Sequence, residues 1–205
     1  MHIYAFGSIC RGEIEIDSDV DLLAIEDKKS NNFDIETFSI YSYKKINELW
    51  NEGNPFAWHL ATESRLIYSS DNRDYLKGLK QPNEYKNCKK DSYKFYDLFC
   101  AAFDAINKDS FSVVFELSTI FLSIRNFATC YSLGKHNDFN FSRHSAIKMR
   151  EKSLNISMKT FNLLERSRIL SVRGYGKNIL IQEAHASFKE LRLIKTWMES
   201  LLLEV

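Results

Sequence analysis

Proline occurs only twice in 205 residues, at Pro55 and Pro82, against 15 Phe, 10 Tyr and 3 Trp. A chain so poor in proline and so rich in large rings has the composition of a packed core and excludes a disordered polymer. An excess of one charge is lacking too. The 28 Lys and Arg face 27 Asp and Glu, a formal net charge of +1. That weighs against a long nucleic-acid footprint, because a basic surface supplies most of such affinity. The four cysteines, Cys10, Cys88, Cys100 and Cys130, form no C-x-x-C pair and show no metal-ligand spacing. Free thiols in a reducing cytosol are expected. The five histidines are scattered and build no cluster. Uninterrupted apolar runs of membrane-spanning length are missing: residues 110–133 come closest, but Glu116 and Arg125 break them. The opening residues run straight into a strand pattern, so no signal peptide is expected, and there is neither an internal repeat nor a low-complexity tract.

What is present divides in two. His2 to Phe6 is a short apolar run ended by Gly7, and Val20 to Ile25 is apolar apart from Asp21; both read as strands. Residues 35–43 alternate and are rich in β-branched and aromatic types, which predicts a third strand. Helical spacing over 44–51 is followed by Asn54-Pro55, an N-cap with proline at the first helical position, opening a helix to about Ser64. Leu66-Ile67-Tyr68 reads as a short edge strand. From Tyr85 onward nearly everything has helical spacing, with helices expected over 86–108, 111–133, 143–152, 158–172 and 179–203. Ser142 is the expected N-cap of the third, and Gly134 and Gly174 are the expected stops. The expectation is an α+β chain, with a small mixed sheet and its helices over residues 1–82 and an all-α bundle over 83–205.

The chemistry is concentrated at the start. Carboxylates at i and i+2 of a strand point to one face, so Asp19 and Asp21 converge. Side by side they repel, and a divalent cation such as Mg²⁺, which prefers carboxylate and phosphate oxygens, removes that penalty. An Asp21 buried in an apolar strand would be costly without such a role. Gly7 lets backbone approach a phosphate closely, the amides after it and the Ser8 hydroxyl donate to phosphate oxygens, and Arg11 adds a cation within one turn. For a third carboxylate the candidates are Asp34 and Glu36. Glu36 is expected deeper in the third strand and is preferred. Glu116, in the apolar helical stretch Val113 to Leu117, would suit a general base if buried, although pairing on a part-exposed helix face competes with that reading. Arg125, Arg143, Arg166, Arg168 and Arg173 are weaker candidates for meeting phosphate or acceptor.

The string Phe6-Gly7-Ser8, a ten-residue spacer, then Asp19-Val20-Asp21-Leu22 resembles the signature of the polymerase-β-type nucleotidyltransferase superfamily. Within it the chain is most similar to the minimal nucleotidyltransferases and the aminoglycoside nucleotidyltransferases. The resemblance implies two Mg²⁺ ions held by Asp19, Asp21 and Glu36 (or Asp34), a nucleoside triphosphate, ATP, held by Gly7, Ser8 and Arg11, and transfer of AMP to a hydroxyl with loss of pyrophosphate. Glu116 would be the base by analogy with the aminoglycoside-modifying relatives. The acceptor implied is a small molecule or a protein, in antibiotic resistance or a toxin–antitoxin pair, in the cytoplasm, with a homodimer or a toxin as partner and no membrane. A degenerate, weak or inactive nucleotide-binding antitoxin or regulatory subunit is the rival. One departure stands out: family members usually carry a helix before the first strand, so the bundle or a partner is expected to cover that sheet face.

Overall fold

The computed structural model describes residues 1–13, 20–27, 33–108 and 112–205. It divides into two compact units, Met1–Lys86 and Asn87–Val205, and the chain is α+β. In the first unit, strands β1 (His2–Phe6), β2 (Asp21–Ile25), β3 (Phe38–Tyr41) and β4 (Ser64–Ser69) form one sheet of order β3-β2-β1-β4. β1 is antiparallel to both β2 and β4, while β2 and β3 are parallel. Helices α1 (Tyr43–Asn51), α2 (Pro55–Glu63) and α3 (Tyr75–Gly78) complete the unit.

Alternation decides which sheet face is covered. Tyr4, Phe6, Leu23 and Ile25 share one face and pack on Ile46, Leu49 and Trp50 of α1 and Ala57 and Leu60 of α2. α1 starts where the Ser42 side chain accepts from the Lys45 amide, and α2 where the Asn54 carboxamide oxygen accepts from Phe56 with Pro55 following. The third strand is shorter than its sequence suggests. Asp34 closes a turn over 35–37, its carboxylate accepting from the Glu36 amide and the Thr37 hydroxyl, so the ladder begins only at Phe38. Helix α3 lacks a readable period because it is a single turn, capped by Asp74.

The second unit is helical: α4 (Cys88–Asn107), α5 (Val113–His136), α6 (Met158–Arg173) and α7 (Ile181–Leu202). α5 has the length and mean hydropathy of a membrane span. Leu117, Ile120, Ile124, Phe127 and Tyr131 instead make it the central helix of the core, flanked by Phe99 and Phe103 of α4, Phe161 and Leu164 of α6, and Leu191, Ile194 and Met198 of α7. Three expectations are corrected here. Gly134 does not stop α5, which runs on to His136 and ends at Asn137 in the left-handed region, φ 51°. Within residues 143–152 lie two short 3₁₀ turns, Ser145–Lys148 and Arg150–Lys152, separated by Met149, the second opening on Arg150 with φ 53°. Ser142 caps no helix; its amide and hydroxyl are both held by Asn140. Gly174 does end α6, with φ 69°.

Candidate functional site

The antiparallel register sets Phe6 opposite Asp21, so the first residue of β2 stands beside the turn that follows β1. That turn is a 3₁₀ segment, Gly7–Arg11, closed by Gly12 in the left-handed region, with the Glu13 amide donating to the Ser8 carbonyl. No side chain caps its start, so its leading amides have no side-chain acceptor from the N-cap. Gly7 is itself left-handed, with φ +79°. A Cβ built on it would lie 2.6 Å from Asp21 Oδ2. Glycine is therefore required twice, by backbone conformation and by the carboxylate pressed against its α-carbon.

Asp21 is exposed, not buried within β2, because burial of that strand begins only at Leu23. The cost of desolvating it therefore does not argue for a ligand; its apposition to Gly7 does. Asp19 and Ser18 lie outside the described residues. Glu36 sits in the 35–37 turn ahead of β3, exposed, rather than deep in the strand. It nevertheless lines the same open depression of about 410 Å³ as Asp21, Leu22, Phe38 and Ser39. On β3 itself, the residues sharing Asp21's face are Ser39, which pairs with Leu23, and Tyr41, which pairs with Ile25. Neither is a carboxylate. Asp34 is held below the usual carboxylate range by the Glu36 amide and then the Thr37 hydroxyl, so it serves the turn. Among the described residues, no three His, Cys, Asp or Glu side chains cluster as a metal site.

Arg11 is engaged by carboxylates. Its Nε donates to Glu13 Oε2 at 2.9 Å and its Nη1 to Glu63 Oε2 at the end of α2. Glu63, largely buried, also lies 2.9 Å from His59 Nε2, one helical turn back, and the His59 ring packs edge-on against Phe6. The sequence offers Arg11 as a cation for phosphate within one turn of Ser8. The structure gives it a local task, tying the turn to α2, and the missing signal is a partner 52 residues away. Next to it, burial pushes the Cys10 thiol up, so it stays protonated at neutral pH.

Glu116 belongs to the second unit, on the first turn of α5, and is half-exposed rather than buried. Four of the five candidate arginines of that unit are also engaged, and the fifth, Arg168, is desolvated by burial. Arg125 donates to the Phe141 carbonyl at 3.0 Å, Arg143 pairs with Glu165, Arg166 with Glu183, and Arg173 donates to the Tyr175 hydroxyl.

A family model described as a nucleotidyltransferase domain matches residues 2–87. A search of the curated proteins found no match to this chain. The matched stretch covers the sheet, the glycine turn and Asp21.

Proposed function

We propose that residues 2–87, matched by the nucleotidyltransferase family model, form a domain of the polymerase-β type and that the protein transfers AMP from ATP to a hydroxyl of a small molecule or a protein side chain. The acceptor oxygen forms a bond to the α-phosphorus, and the bond from that phosphorus to the α,β-bridging oxygen breaks. Pyrophosphate leaves with the electron pair, and the hydroxyl proton passes to a base. The observation that carries the reading is the Gly7–Asp21 apposition, a left-handed glycine with a carboxylate oxygen where its Cβ would be. A phosphate-binding turn and a carboxylate that would hold a divalent cation need that proximity, since the cation would supply charge to carboxylate and phosphate alike. Asp21, with Asp19, would hold Mg²⁺, which when bound neutralises charge on the phosphates. The Gly7 and Ser8 amides would orient the phosphate chain, and Glu36 is the further carboxylate of the same depression.

A second reading has its own observation. β3 offers Ser39 and Tyr41, not a carboxylate, on the face of Asp21, which favours a weak or inactive nucleotide-binding antitoxin or regulatory subunit acting through a partner protein. Incubation with Mg²⁺ and α-labelled nucleoside triphosphates, alone and with lysate, separates the two. A labelled product and pyrophosphate that disappear in the Asp19→Ala, Asp21→Ala double variant support transfer. Turnover surviving that variant sinks the proposed site. Nucleotide binding without turnover selects the second reading.

A further inference from the structure

A second concavity lies in the first unit, between the outer strand β4 and helices α2 and α3. Its volume is about 480 Å³, within the range of small-molecule sites. Its lining includes none of Gly7, Ser8, Arg11 or Asp21. Leu60, Leu66 and Leu76 supply an apolar floor, and two cations stand at the lip, Lys77 from α3 and Lys80 just beyond it; Arg65 also borders the concavity, but it pairs with Ala5 and so belongs to the sheet face opposite Tyr4 and Leu66. Against them the lining holds one carboxylate, Asp74, and its Oδ1 already accepts from the Tyr4 hydroxyl at 3.0 Å and the Lys77 amide at 3.1 Å. Among the described residues neither lysine is ion-paired.

Lys80 gives a second, independent sign. Its backbone is left-handed, φ 62°, at the position following α3 that glycine ordinarily takes. The conformation is fixed from outside, by the Trp50 indole N–H donating to the Lys80 carbonyl at 3.2 Å. Gly78, two residues earlier, is in the helix and has no positive φ. A lysine therefore occupies a position that glycine ordinarily takes, and strain of this kind gathers at ligand clamps.

We infer that this concavity binds a small organic anion, a phosphate monoester with an apolar body. The body lies on the leucine floor and the phosphate meets Lys77 and Lys80. The site is separate from the phosphate turn and does not depend on the transferase reading.

Phenyl phosphate is the probe, titrated calorimetrically into the whole protein in EDTA, with inorganic phosphate and benzoate as parallel arms. The expected result is saturable binding at one per chain. Phosphate alone should bind about tenfold more weakly through loss of the apolar body, and benzoate more weakly through loss of the dianion. Lys77→Gln and Lys80→Gly should each weaken phenyl phosphate about five- to tenfold. Lys80→Gly should do so with an unchanged or raised melting temperature, which a merely structural lysine would not. Asp21→Asn should leave this binding unchanged. No saturable binding in the wild type, wild-type affinity in both lysine variants, or loss of binding in Asp21→Asn each overturns the inference, the last by moving the ligand to the phosphate turn.

Discussion

Strand β1 is treated oppositely at its two ends. At its start the polar groups are tied together. His2, 3% exposed, lies 2.6 Å from the Tyr43 hydroxyl through Nδ1 and 3.1 Å from Asp71 through Nε2. The rings of Tyr4, Tyr43 and Tyr75 surround it, and Asp71 also accepts from the Ser69 hydroxyl and the Arg73 amide. At its other end the turn begins without a side-chain cap, the backbone is left-handed, and an exposed carboxylate sits against a glycine α-carbon. The first end satisfies its donors and acceptors and holds the sheet to α1. The second keeps donors and charge facing outward at a position that costs stability. Such local inconsistency is expected where function overrides packing.

That contrast breaks most visibly through Asp21. Asp21→Asn keeps the shape of the side chain but removes its charge, so nucleotidyl transfer should fall about a thousandfold, ~4 kcal/mol of transition-state stabilisation. Thermal unfolding should be almost unmoved, since the residue is exposed. A variant that loses stability but retains turnover would place Asp21 with the structural end. Gly7→Ala should reduce transfer about a hundredfold and cost ~1–3 kcal/mol in a urea titration, through the left-handed backbone and the clash with Asp21. If Asp21→Ala, which removes the carboxylate, does not relieve part of that cost in the double variant, the apposition is not what constrains the glycine.

His2→Ala should do the reverse. It empties a buried site and strips two polar partners, so stability should drop by ~2–3 kcal/mol while kcat and KM stay within about twofold of wild type at temperatures where the variant is folded. Equilibrium denaturation and steady-state kinetics on the same preparation check both halves. A KM shift at full folding would show that the two ends are coupled.

How much of this was legible in the chain depends on the range of the interaction. β1, α1 and α2 follow from local pattern and chemistry: an apolar run closed by glycine, a serine cap, and Asn-Pro at a helix start. The juxtaposition of Gly7 with Asp21 was legible as a motif but not as geometry, because the 2.6 Å approach needs the register that sets Phe6 against Asp21. Exposure of Asp21 was misread because an apolar run does not say where along it burial begins. Glu36 was misplaced because Asp34 turns the chain one step before the strand, an intrinsic competition between side chain and ladder. The tie of Arg11 to Glu63 is not legible because that partner lies 52 residues on, in another element. The His2–Tyr43–Asp71 network could not be read at all: its members are 41 and 69 residues from His2 and carry no motif.

The smallest lever is Asp71, whose carboxyl is held below the usual range first by the Ser69 hydroxyl, then by the Arg73 amide, with His2 contributing less. A carboxyl depressed in the folded state adds stability above its unfolded value of about 3.9, and that contribution is lost as pH falls through the lower, folded value. Asp71→Asn removes the titration but retains an acceptor for Ser69 and Arg73. Urea midpoints measured between pH 6 and pH 3 should therefore differ little at the upper limit, with the variant falling less steeply than wild type below about pH 4. Because the group is solvent-exposed the difference should be slight, and salt should shrink the Coulombic share from His2 while leaving the hydrogen-bonded share in place. Parallel acid limbs for the two proteins would remove Asp71 from the closed end of the strand and leave His2 and Tyr43 to account for it alone.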